Sequence, residues 1–321
     1  MANKSVLVTG ASGLLGREIL RTFHYDLWKA VGTGLNRINP PEIIKLDIQD
    51  SNEIARCLDQ VKPHAIVHCA ANRFPDSCEA NPEAARKLNV EASRALAEAA
   101  IDRNIFLIYI STDYVFPGRP GDAPYKVTDA TRPPNIYGQT KLDGEKAVLD
   151  VARKHGVKNK IVVLRVPVLY GKCDEPSESA VNVLLSQLWA SQEIKDGDRK
   201  IKVDNWALRY PTNTADVGRV CRDICKLYLD EASSERRLPE ILQFSSEDKM
   251  TKWEIVKTFS EIMGLPLDGM EPTKPNENPA DGVQRPYDCH LDTTALRDLG
   301  LNVSTTDFLA WWRREIRAFR H

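Results

Sequence analysis

Tyr137 and Lys141 stand four residues apart in the run Tyr-Gly-Gln-Thr-Lys, which puts a phenol and an ammonium on one face of a helix. A phenol has a pKa near 10, and a neighbouring cation favours its phenolate, so the pair suits proton transfer to a reacting oxygen. Spacing alone does not single it out, because Tyr25 and Lys29 share it. Position decides. Tyr25 precedes the second apolar run of strand length, whereas Tyr137 follows the fifth, whose end carries Ser111, Thr112 and Asp113. A second element opens the chain, where Val6 to Arg17 reads as a strand, a glycine turn and the start of a helix. Gly10 permits the tight turn, Gly13 lets backbone N–H groups approach a pyrophosphate, and Gly16 lets helix and strand pack closely. The expected seat of a dinucleotide pyrophosphate is therefore Gly10, Ser12, Gly13, Leu14, Leu15 and Gly16, at the positive end of the helix dipole. After the second strand, Gly32-Thr-Gly-Leu-Asn-Arg37 offers no acid for a ribose 2′-OH but does offer Arg37, and Arg17 is a second cation within reach. Two arginines suit a 2′-phosphate, so the cofactor expected is NADP(H).

The elements that must position these groups alternate along the first half. Strands are expected at Ser5–Val8, Trp28–Gly32, Ile43–Ile48, Ala65–Cys69, Phe106–Ser111 and Ile161–Val166. Helices are expected at Leu14–Phe23, Ser51–Gln60, about Pro82 to Asp102, and about Tyr137 to Lys154. This alternation implies right-handed βαβ units and an α/β, doubly wound parallel sheet of Rossmann type. After Gly171 the alternation weakens, with helices expected at Ser179–Ser191, Ala215–Leu229, Lys252–Met263 and about Thr305 to Arg320. Five prolines between Leu265 and Pro286 predict a long irregular loop. The expected division is a nucleotide-binding domain over 1–171 and a smaller C-terminal lobe over 172–321, part of which returns to the core.

The glycine turn has the form T-G-x-x-G-x-x-G, and with Tyr137/Lys141 it resembles the short-chain dehydrogenase/reductase superfamily. That resemblance implies an adenine contact at Asp47, a cofactor path over Ala70 and Ala71, and an Asn89 that supports the catalytic lysine through water. It also implies Thr112 on the substrate oxygen with Asp113 beside it, and Pro167 near the nicotinamide. Ser111–Gly118, Tyr137–Glu145 and Gln284–Tyr287 resemble the dTDP-4-dehydrorhamnose reductase group of extended short-chain reductases. Within that group, His68–Ala71, Arg165–Gly171, Asp204–Trp206, Arg209–Thr212 and Gln284–Pro286 are similar to the regulatory β-subunit family of methionine adenosyltransferase. This likeness implies an NADP-binding partner of that enzyme's catalytic subunit, modulating S-adenosylmethionine synthesis, with Trp311 to His321 as docking segment. The alternative it leaves open is an NADPH-dependent reductase of a 4-keto sugar nucleotide. Val168 stands where the sugar reductases have an aromatic residue.

Composition excludes other classes. Lys and Arg total 44 against 45 Asp and Glu, too balanced for binding driven by phosphate neutralisation, so no nucleic-acid partner is expected. A 42% hydrophobic and 28% charged content is that of a soluble globular chain with a large core. No apolar run approaches membrane-spanning length and no signal pattern precedes the first strand, so a cytoplasmic protein is expected. Of seven cysteines only Cys221 and Cys225 lie close together, without a second ligand pair, and the histidines are scattered. No metal site is expected.

Overall fold

The computed structural model describes residues 4–195, 197–231, 236–274 and 282–317. The chain runs through β1 (Ser5–Thr9), α1 (Leu14–Tyr25), β2 (Lys29–Gly34), β3 (Ile43–Lys45), α2 (Ser51–Val61) and β4 (Ala65–His68). Next come α3 (Pro75–Ala80), α4 (Pro82–Arg86), a π-helical turn at Lys87–Glu91, α5 (Ala92–Asp102), β5 (Phe106–Thr112), α6 (Ile136–Lys154), β6 (Ile161–Val166) and β7 (Leu169–Tyr170). The remainder contributes α7 (Asn182–Ser191), β8 (Ile201–Asp204), β9 (Thr212–Asn213), α8 (Thr214–Asp230) and β10 (Ile241–Gln243). It ends with α9 (Lys252–Met263), β11 (Met270–Thr273), α10 (Thr294–Asp298) and α11 (Phe308–Glu315).

Seven strands form one parallel sheet in the order β10-β6-β5-β4-β1-β2-β3, the doubly wound arrangement expected. Its order reverses beside β1, so the crevice at the carboxyl ends of β1 and β4 is the place for a ligand. Because strand side chains alternate, Val6 and Val8 face one helical layer, with Phe23, Val217, Ile224 and Tyr228. Leu7 faces the other layer, with Ile54, Leu58, Leu96 and Val148. Each such buried side chain contributes roughly 1.5–3 kcal/mol of apolar burial. Within this core Glu145 and Arg165, both almost fully buried, pair at 2.7 and 2.9 Å, and Glu145 also accepts from Ser111 Oγ at 2.5 Å. Such a pair is tolerated because its hydrogen bonds satisfy both groups.

Several differences from the sequence expectation have identifiable causes. The helix expected over Pro82 to Asp102 is interrupted by the π-helical turn, which inserts an extra residue and re-aims Asn89. The strand expected over Ile43–Ile48 stops at Lys45, because the Asp47 carboxylate accepts from the amide of Gln49 and turns the chain. The Pro-rich segment is not wholly irregular: β11 pairs with β8 in a two-stranded sheet, whose edges tolerate Pro272. Finally, an unforeseen strand, β10, joins the main sheet beside β6, and α8 packs on α1. Three residues of strand give too little periodicity to find β10 from sequence.

A third apolar cluster joins α7, α9, α11 and β8 through Tyr170, Leu188, Val203, Val256, Phe259, Phe308 and Trp312. Among the described residues, no helix is long and apolar enough to cross a membrane.

Candidate functional site

The glycine turn takes the shape its residues predict. Gly10 has φ +66°, and a side chain there would meet the backbone of Ala70 at 2.8 Å. A Cβ on Gly16 would lie 2.3 Å from the Gly10 carbonyl oxygen, so only glycine lets α1 start this close to β1. Gly13 is the N-cap of α1 and no side chain caps the helix, which leaves its first-turn amides facing the crevice. Ser12, Leu14 and Leu15 lie in the same turn, and Ala70 and Ala71 follow β4 directly across from it. This seat fits a pyrophosphate: free amides, a helix dipole, and no side chain in the way.

At the outer end of the crevice the two expected cations converge. Arg17 donates to the Ser12 carbonyl and to Asp174, both at 2.7 Å, and Arg17 and Arg37 both bind the carboxylate of Glu178. Burial works against the Glu178 charge, but hydrogen bonds from Arg17 and Arg37 outweigh it and hold its pKa down at about 2. Nothing in the sequence marks Glu178, which is brought to this point from 141 positions beyond Arg37. Arg73, stacked on Phe74 at 4.1 Å, faces both Glu178 and Tyr137. Asp47 is half-buried after β3, its backbone amide held by Glu53.

The inner end collects the hydride-transfer candidates. Asn135 caps α6 by accepting from Gly138 N at 2.9 Å, which places Tyr137 and Lys141 one turn apart on the face toward β5. Thr112 ends β5 and donates to Asp113 at 2.9 Å, and Tyr137 hydrogen-bonds Thr112. Burial raises the Asp113 carboxyl to about 6, against the pull of the nearby Arg209 charge and the Thr112 bond. Pro167 is buried just after β6.

Electrostatics in this pocket differ from the simple expectation. Burial lifts the Tyr137 phenol above its usual range, and the hydrogen bond with Thr112 offsets only part of that rise. Burial also brings Lys141 down to about 7, and its ammonium lies 4.0 Å from the centre of the Tyr109 ring. The lysine therefore carries only part of its charge at neutral pH. Asn89 is fully engaged: its amide nitrogen donates to the Asn72 carbonyl at 3.0 Å and to Thr140 at 3.1 Å, and its oxygen accepts from Asn72 N at 2.8 Å. It clamps the loop after β4 onto α6 beside Lys141.

Sequence reasoning about chemistry missed the basic wall opposite. Arg209, 6% exposed, donates to the carbonyls of Leu208 and Pro286 at 2.9 and 3.1 Å, and one guanidinium nitrogen has no partner. Burial, together with Arg209 and Arg285, lowers Lys252 to about 8. Tyr114 packs edge-on against Tyr137 with ring centres 5.9 Å apart. The signal available was the charge density of Arg209 and Arg285, which only the fold brings to one place.

The expected docking segment packs on its own chain as far as the structure follows it. Trp312 is buried in the third cluster with Trp311 and Ile316 packed against it, while Arg313 and Arg314 are exposed. Residues 318–321 of that segment lie outside the described residues. All seven cysteines are free, and among the described residues no group of His, Cys, Asp and Glu could hold a metal.

Comparison with known proteins places this geometry. The family described as RmlD substrate binding domain matches residues 4–319. Methionine adenosyltransferase 2 subunit beta of Pongo abelii is 39% identical over 305 residues, covering 94% of this chain and 84% of the relative. A dTDP-4-keto-6-deoxy-D-glucose reductase of Streptomyces niveus is 31% identical, covering 92% of this chain and 91% of the relative. The solved dTDP-4-dehydrorhamnose reductase of Bacillus anthracis, a complex with NADP, shares the fold with a TM-score of 0.78 at 22% identity, over 99% of each chain.

Proposed function

The chain belongs to the RmlD substrate binding domain family, and on that premise we propose that it is the NADP(H)-binding regulatory β subunit of methionine adenosyltransferase, modulating S-adenosylmethionine synthesis. The observation that carries the partner is the 39% identity to a named β subunit over almost the whole chain. The cofactor rests on the geometry itself: an uncapped helix start behind a glycine turn, with Arg17 and Arg37 at the adenine end. The seat comprises Gly10, Ser12, Gly13, Leu14, Leu15, Gly16 and Arg17, with Arg37, Asp47, Ala70, Ala71, Asn89, Tyr137, Lys141 and Pro167 along the cofactor's length. Free cysteines suit a reducing compartment, in keeping with a cytoplasmic protein. The proposed division of labour is a coenzyme domain over 1–171 and a lobe over 172–321 that supplies partner contacts, the exposed Arg313 and Arg314 among them.

The Thr112, Asp113, Tyr137 and Lys141 cluster favours a second reading, reduction of a 4-keto sugar nucleotide or a similar carbonyl compound, and a 31%-identical relative is named as such a reductase. Bound, the coenzyme supplies hydride. Thr112 would turn its hydroxyl from Asp113 to the carbonyl oxygen and polarise it, Tyr137 would deliver the proton to that oxygen, and Asp113 would hold the Thr112 hydroxyl in place until the substrate arrives. Lys141 would orient the ribose and, recharged beside it, favour the phenolate.

Co-purification with the catalytic subunit, with its synthetase kinetics measured with and without this chain, tests the first reading. A stable complex with altered kinetics is expected; no association at micromolar concentrations would overturn it. NADPH oxidation over sugar nucleotides tests the second, which requires turnover that Tyr137→Phe abolishes.

A further inference from the structure

Arg17 and Arg37, the two cations suited to a 2′-phosphate, already hold an anion of the chain's own. Glu178 ends a short 3-10 turn, Pro176–Glu178, between β7 and α7, and its side chain is 8% exposed. Arg17 grips both of its carboxylate oxygens, and Arg37 shares one of them. Asp174 adds a second acid on Arg17 at 2.7 Å, and its backbone amide donates to Glu178 at 3.3 Å. The Arg17 and Arg37 guanidinium groups are thus matched by the carboxylates of Glu178 and Asp174, with Arg73 facing Glu178 beside them. A phosphate monoester, carrying about −1.5 to −2 at neutral pH, would seek the same forked donors.

The strand end explains why the acid comes from so far away. In dinucleotide folds an acid after the second strand accepts from the ribose 2′-OH and repels a 2′-phosphate. Here Gly34, Leu35 and Asn36 offer no carboxylate. Glu178 brings one to the same corner from the segment that leads into the C-terminal lobe. Its position is fixed by the two arginines and by the amide of Asp174, so it is a built contact within the fold.

We propose that Glu178 sets the coenzyme preference of this site: its carboxylate takes the place between Arg17 and Arg37 that the 2′-phosphate of NADP(H) requires, and has to leave for that phosphate to bind. NAD(H), with a hydroxyl there, binds with the carboxylate in place. The proposal rests on the coenzyme reading above and adds a consequence. NADP(H), but not NAD(H), frees the segment 174–178, four residues before α7, whose Leu184 and Leu188 lie in the lobe core.

The test is calorimetric titration of wild type, Glu178→Gln and Glu178→Ala with NADP+, NAD+, 2′,5′-ADP and 5′-AMP, with circular dichroism confirming the fold. Removing the charge is expected to tighten NADP+ and 2′,5′-ADP by about tenfold or more and to change NAD+ and 5′-AMP by less than about twofold. Adding Arg37→Ala to either variant should erase the gain. A ratio of NADP+ to NAD+ affinity that is unchanged or lower in both variants would overturn the proposal, leaving Glu178 as a group that only holds the arginines in place. If no protein binds either coenzyme, the coenzyme reading itself falls and this one with it.

Discussion

Lys141 is the most revealing residue to perturb, because the fold holds its amine where an ammonium is unwelcome. Burial brings its pKa from 10.5 to about 7, only partly offset by the charge of Glu145. Between those two values the unfolded chain keeps a proton that the folded chain has lost. Stability from this group therefore rises with pH through that window and is lowest below about pH 7. At ~1.4 kcal/mol per pH unit, the penalty is on the order of 4 kcal/mol at pH 7, falling to roughly 1–2 kcal/mol at about pH 9.5. Lys141→Met keeps an unbranched apolar stem against the Tyr109 ring and removes the titration. Urea unfolding followed by circular dichroism should show the variant more stable than wild type at pH 7, with the advantage shrinking by about 3 kcal/mol at about pH 9.5. The same variant should lose most of its coenzyme affinity, since the amine is retained at that cost for the ribose. Equal stability differences at the two pH values would refute the reasoning.

Three further outcomes follow from other parts of the structure. Gly16→Val should abolish coenzyme binding and lower the Tm in thermal unfolding, because its Cβ would fall 2.3 Å from the Gly10 carbonyl oxygen. Arg165→Met should destabilise the chain by ~3–5 kcal/mol in urea unfolding by leaving Glu145 buried without its cation, and adding Glu145→Gln should recover part of that loss. Asp113→Asn should stabilise the fold by ~3 kcal/mol at pH 7 and by progressively less as pH falls from 6 toward 4. Its carboxyl, raised to about 6, favours the folded state increasingly over that range.

How much of this was legible in the sequence depended on the kind of signal. Long periodic segments were: Ile161–Val166 and Lys252–Met263 begin and end where their apolar patterns do, the latter because Thr251 and Glu254 form a capping box. The final helix, expected from Thr305, starts at Phe308 because the Asp307 carboxylate accepts from Ala310 N and sets the cap. The helix expected from Ser179 starts at Asn182, since the Ser179 hydroxyl accepts from the amides of Val181 and Asn182 and holds the chain in a turn. The glycine turn could be read because local spacing fixes it, and the Tyr137/Lys141 pair because its place after the fifth strand separates it from Tyr25 and Lys29. Glu178 and Arg209 could not, because their roles arise only when segments far apart in sequence share one wall. The protonation of Lys141 was likewise hidden, since it depends on burial, which charge spacing does not report.

The central claim is that a nicotinamide dinucleotide sits with its diphosphate on the amides that begin α1. Calorimetric titration of the folded chain with NADPH, in parallel with Gly13→Asp, tests it most directly. One saturable site per chain, lost when the aspartate introduces negative charge at that turn, is the predicted result. Equal heats from the two proteins, or none from a wild-type sample shown to be folded, would contradict it.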